Sequence, residues 1–116
     1  MKLKSLFVLL CVFSLTLYAQ EKYTIEEAAK HIGEIAIVTG TVVQVSTPRS
    51  GIIYLNMDAK YLDNLFTGVI FKKEAELFPD VKELVGKKVE LSGKIEEYKG
   101  KPQIILKKPE QIKVIE

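Results

Sequence analysis

Two stretches of this chain repeat one glycine spacing. Gly33 precedes Glu34-Ile35-Ala36-Ile37-Val38-Thr39, Gly40 follows it, and an aliphatic residue, Val42, stands two further on. Gly86, Lys87-Lys88-Val89-Glu90-Leu91-Ser92, Gly93 and Ile95 repeat the arrangement. Both stretches are rich in the β-branched residues that suit strands. A glycine within a strand weakens it unless the strand must bend, bulge or admit another backbone closely. The spacing therefore predicts two long strands, Glu34 to Val45 and Lys87 to Glu97, each bent at its middle glycine. Closed barrels need such bends, and a flat sheet does not.

The intervening sequence fills in the order of elements. Thr24 with Glu27 forms a capping-box pattern, and Ile25, Ala28, Ala29 and Ile32 form an apolar stripe, so a short helix is predicted from Thr24 to Gly33. Ser46 to Gly51 reads as a turn, Ile52 to Met57 as a strand, Asp58 to Phe66 as a loop and Gly68 to Lys72 as a strand. Glu74 to Val85 carries Leu77, Val81 and Leu84 at helical spacing, broken at Pro79-Asp80. Lys101 to Leu106 is the last main strand, and Gln111 to Ile115 a short tail strand. Long bent strand, strand, strand, helix, long bent strand, strand is the order of an OB-fold. The fold class predicted is thus all-β with short helices: a five-stranded Greek-key barrel, a helix between its third and fourth strands, and a short N-terminal helix.

The first residues read as an address. Lys2 and Lys4 precede an apolar run from Leu6 to Leu17, and Leu17-Tyr18-Ala19 is a cleavage-site pattern. Spanning a bilayer takes about 20 apolar residues, and this run is shorter, with Glu21 and Lys22 close behind it. Residues 1–19 are therefore expected to be a signal peptide and 20–116 a single OB-fold domain, exported to the periplasm or secreted, with no stable membrane insertion after cleavage. Leu10 before Cys11 is not the small residue that lipoprotein processing requires. Cys11 is the chain's one cysteine, so the remaining domain must be stabilised by packing alone. The full chain has 17 basic and 15 acidic residues; Lys2 and Lys4 account for the difference, leaving the domain neutral. Any binding to nucleic acid then rests on a local basic patch.

That patch is sought at the end of the second bent strand. Glu97-Tyr98-Lys99-Gly100-Lys101-Pro102-Gln103 predicts a hairpin with an aromatic ring between cations at its tip. Gly100 supplies a positive φ and Pro102 needs no ladder donor. OB barrels bind on the face of their second and third strands, flanked by the first loop and the last hairpin. The candidate nucleic-acid-binding residues are therefore Arg49 in the loop, Tyr54 and Asn56 facing outward on the second strand, Lys72 and Lys73 after the third, and Tyr98, Lys99 and Lys101 on the hairpin. The same residues have plainer roles open to them, since strand-end tyrosines cover barrel rims and turn lysines discourage edge pairing. Tyr61 falls in a loop of no assigned direction.

Ile32-Gly33 with the bent strand, Tyr54-Leu55-Asn56-Met57, Val69-Ile70-Phe71, Leu84-Val85-Gly86-Lys87-Lys88-Val89 and the hairpin run together resemble the bacterial OB-fold nucleic-acid-binding domains. Some of those are similar to domains found beside nuclease modules in secreted proteins. The resemblance covers nearly all of residues 20–116 and implies a single-stranded nucleic acid, DNA or RNA, as partner. A second reading is an envelope module that binds a protein, peptide or small ligand on the same face, and a third an accessory domain of a secreted nuclease.

Chemistry is not expected of this chain. His31 is the only histidine and has no second imidazole or thiol with which to hold a metal. Glu96 and Glu97 are adjacent in a strand and point to opposite faces, and Arg49 is the only arginine, too few for a phosphodiester hydrolase. No nucleophile elbow or phosphate-cradling glycine loop is present. Neither a cofactor nor a catalytic residue is assigned.

Overall fold

The computed structural model describes residues 20–115, so the expected leader and its cleavage site lie outside the described residues. Seven strands and one α-helix follow in chain order: β1 Lys22–Thr24, α1 Ile25–Ala28, β2 Ile35–Ser46, β3 Ile53–Met57, β4 Phe66–Ile70, β5 Lys88–Tyr98, β6 Lys101–Ile105 and β7 Ile112–Val114. Strands β2, β3, β4, β6 and β5 pair in that order, and β5 pairs back onto β2. The sheet is a closed ring of five, the OB-fold expected. β1 runs parallel to β2 outside the ring, and β7 antiparallel to β5. β1, too short to show a period, is an addition to the expected order.

The two bent strands are what close the ring. β2 pairs with β5 through Thr41 and with β3 from Val42 onward, so it changes partner one residue beyond Gly40. β5 pairs with β2 through Lys94 and with β6 from Ile95, changing partner one residue beyond Gly93. A Cβ on Gly40 would come within 2.7 Å of Ile25, an α1 residue buried in the core. Gly93 combines a φ of +153° with a position where a Cβ would lie 2.8 Å from Ile104 Cγ2. The core inside the ring includes Val38, Leu55, Met57, Phe66, Ile70, Leu91, Ile95 and Ile104, all fully buried.

Both predicted helices are shorter than their patterns suggest. The capping box at the first is present, Thr24 and Glu27 each bonding the other's backbone N–H, but α1 ends at Ala28. Lys30 and His31 then donate to carbonyls three residues back, which tightens the chain out of the α-helix. Of the apolar stripe Ile25 and Ala28 are buried, while Ile32 is exposed. The predicted helix from Glu74 to Val85 is instead two 3-10 turns, Lys72–Leu77 and Val81–Leu84. Pro79 is the cause: it offers no N–H to a helix and keeps Phe78 out of the helical region, at φ −122° and ψ 59°. Phe78 and Val81 enter the core, and Leu77 stays outside.

The outer strand is fastened by a small polar cluster. Tyr23 of β1 stacks on the His31 ring, centroids 3.8 Å apart and planes within 6°. Its hydroxyl donates to Glu34 Oε1 at 2.7 Å, and His31 Nδ1 meets Glu34 Oε2 at the same distance. The hydrogen bond to Glu34, helped by burial and by the surrounding carboxylates, pushes the Tyr23 phenol up from 10.0 to about 12. The bonds from Tyr23 and His31 hold Glu34 below its ordinary value. A raised phenol pKa favours the folded state up to pH about 10, a gain that is lost as pH rises through about 12. The lowered carboxylate favours it above its unfolded value of 4.5, and that gain fades as pH falls through the lower folded value. An absorbance titration of the phenolates should show Tyr23 ionising near 12, and Glu34→Gln should bring that step down toward 10.

Candidate functional site

A groove of about 490 Å³ runs across the outer face of β3, β4 and β6. Its floor follows from strand register: Asn56 lies opposite Thr67, and Thr67 opposite Gln103, so three polar side chains share one row. One wall is the β5–β6 hairpin, which contributes Tyr98, Lys99 and Lys101; the other is the β3–β4 loop, residues 58–65, which contributes Tyr61 and Leu62. Pro48 of the β2–β3 turn and Tyr54 of β3 complete it.

The hairpin wall is set by its turn. Lys99 at φ 52° and Gly100 at φ 83° are both left-handed, the pair of positive φ values that lets a two-residue turn match the strand twist. Tyr98 and Lys101 face each other across it, on the groove side, while Pro102 beside them is buried. Tyr98 is 59% exposed. The Lys99 ammonium sits 5.4 Å from the centre of its ring, a cation–π contact that keeps charge and aromatic face together.

The loop wall is held by amides. Gln44 Oε1 accepts from Asn56 Nδ2 and from the Tyr61 backbone N–H, both at 2.9 Å. Asn64 Nδ2 reaches Thr67 Oγ1 at 2.7 Å, the Phe66 carbonyl at 3.1 Å and, at the limit, Asn56 Oδ1 at 3.5 Å. Asp58, at φ 64°, turns the chain out of β3, its carboxylate accepting from the Thr41 N–H. Leu62 takes φ 84°, a costly conformation for a large side chain, and its carbonyl accepts from Lys101 Nζ at 3.0 Å. The two walls thus meet at Lys101. The result leaves Tyr61 69% and Leu62 71% exposed beside the groove.

Of the residues expected to form the site, Tyr54, Asn56, Tyr98, Lys99 and Lys101 come together. Asn56 departs from expectation in one respect. It is on the outer face as alternation requires, yet the β3–β4 loop folds over it and leaves it 2% exposed, so it props the groove from below. Arg49, Lys72 and Lys73 are exposed but do not line the groove. The stem of Lys72 packs beside Gly51, in the turn that carries Arg49. Tyr61, Leu62, Thr67 and Gln103 are lining residues that the sequence did not single out. Gln103 alone carried a signal, being two residues beyond Lys101 on the same face of its strand.

The electrostatics are one-sided. Two lysines and no carboxylate line the groove. Asp58 accepts from the Thr41 N–H and Glu96 stands beside the floor, opposite Gln103, but neither they nor Glu97 are among the lining residues. A domain that is neutral as a whole therefore presents a locally positive, aromatic concavity. No group of three or more potential metal ligands exists among the described residues, and no described helix is long and apolar enough to cross a membrane.

No protein-family model matches the sequence, and no curated protein matches it. Solved structures do. The OBody AM1L10 bound to hen egg-white lysozyme superposes with a TM-score of 0.60 at 18% identity, over 84% of this chain and 96% of that one. Asparaginyl-tRNA synthetase of Entamoeba histolytica gives 0.52 at 20% identity, over 79% of this chain and 23% of the enzyme. Its complex with asparaginyl-adenylate gives 0.53 at 19% identity, over 84% of this chain and 24% of the enzyme. The present chain thus spans nearly the whole of one relative in fold and about a quarter of the other. At these identities the likeness is one of fold, and the fold is the OB barrel.

Proposed function

We propose that this chain is an exported, non-catalytic binding protein that holds single-stranded nucleic acid in the groove between the β5–β6 hairpin and the β3–β4 loop. The observation that carries the reading is the lining itself: three tyrosines and two lysines, with no carboxylate, around a polar floor. Tyrosine faces stack on bases of any identity, and lysines track the phosphates, which is how single strands are held without sequence preference. The occurrence of the same fold within a tRNA synthetase supports the assignment.

Fluorescence anisotropy of residues 20–116 with a labelled oligothymidylate across a salt series tests it. Binding is expected at low salt and should weaken as salt rises, each lysine on a phosphate contributing about 0.7 to the slope of log affinity against log salt. Lys101→Met should flatten that slope by about 0.7. Absence of binding at low salt, or affinity indifferent to salt, rules the reading out.

A second reading, a protein partner on the same face, draws on Tyr61 and Leu62, exposed at 69% and 71%, and on the OBody that is bound to lysozyme. Burial of those apolar side chains would give an affinity that tolerates salt.

A further inference from the structure

The hairpin tip has a concave surface on both sides. Beyond Lys101 lies a second groove of about 260 Å³, lined by Ile25, Glu26, Ala29, Leu65, Gly100 and Pro102. Lys101 and Pro102 line both grooves, and the hydrogen bond from Lys101 Nζ to the Leu62 carbonyl lies at their junction. That bond joins an ammonium to a neutral carbonyl. A phosphate oxygen makes a stronger, charge-assisted partner for the same ammonium.

We propose that the two grooves form one track for a single strand, with a phosphate at Lys101 and a further base of the strand seated in the second groove. This inference rests on the nucleic-acid reading above and extends its site. Charge sets the direction of the nucleotide. Glu26 repels a phosphate from the second groove, while Ile25, Ala29 and Leu65 offer it an apolar lining suited to a base face. Leu65 is half exposed although it carries no polar group, as a residue awaiting a flat apolar ligand would be.

Length dependence tests the track. Labelled oligothymidylates of four and eight nucleotides span the short end of the site sizes known for such barrels, about 4 to 16. Leu65→Gln removes the apolar rim without adding charge, and Ala29→Leu fills the groove from an exposed position. Each should weaken the eight-nucleotide strand fivefold or more, the low end for one lost stacked base, while leaving the four-nucleotide strand unchanged. Equal losses on both strands, or no loss on either, overturn the second subsite while the first groove stands. If the unsubstituted protein binds neither strand, the nucleic-acid reading itself fails and this inference falls with it. Thermal melts of both variants separate loss of binding from loss of fold.

Discussion

A protein carrying Tyr61→Ala and Tyr98→Ala together is expected to bind single strands at least about thirtyfold more weakly, since each lost stacked base costs about 1 to 3 kcal/mol. Both side chains are more than half exposed, at 69% and 59%, so their removal leaves the core intact and the melting temperature nearly unchanged. They stand on opposite walls of the groove, one on the β3–β4 loop and one on the hairpin. Their effects should therefore add, unless one base bridges both rings. A double-mutant cycle by anisotropy distinguishes these cases. An unchanged affinity in the double variant would show that the aromatic walls hold nothing.

The second large effect is on stability. Gly93→Ala should cost about 3 kcal/mol or more, combining a backbone conformation that L-residues avoid with overpacking against a fully buried side chain. The clash is with Ile104, 2.8 Å from the added Cβ, and φ is +153°. For a domain of this size the melting temperature should fall by about 12 °C or more. Gly86→Ala is the matched control, because Gly86 also has a positive φ, +87°, but nothing within 4 Å of the added carbon. It should cost about 1 kcal/mol. Equal melting temperatures for the two variants would remove close packing as the reason for glycine in the bend.

The barrel was legible in the sequence because its rarest requirement, a long strand that changes partner midway, leaves a mark that side-chain pattern cannot imitate. Gly40 and Gly93 each stand one residue before those changes. The hairpin was legible for a similar local reason, a glycine at the turn and a proline beside it. The segment after β4 was legible in part: the expected break at Pro79 divides it, but Leu77, Val81 and Leu84 keep α-helical spacing along backbone that is 3-10, and Phe78 does the packing. For the site, alternation placed Asn56 on the outer face correctly but carries no information on what covers that face. The covering loop is held by Gln44 and Asn64, whose bonds reach 17 residues from Tyr61 and 8 from Asn56. The sequence consequently left Tyr61 without a direction and Leu62 unnoticed, and it grouped Arg49, Lys72 and Lys73 with a groove that they do not line.

The pairing of β2 with β5 joins residues far apart in the chain, Ile35 with Lys94 and Thr41 with Lys88. The entropy of bringing such distant segments together must be met before their contacts stabilise anything, which places this chain among slow, cooperative folders. Until those two strands meet, each leaves the edge from Ile35 to Thr41 or from Lys88 to Lys94 unpaired, long enough to pair with another chain. The ring that shapes the groove thus makes the interval before its closure the period in which this chain is most exposed to aggregation.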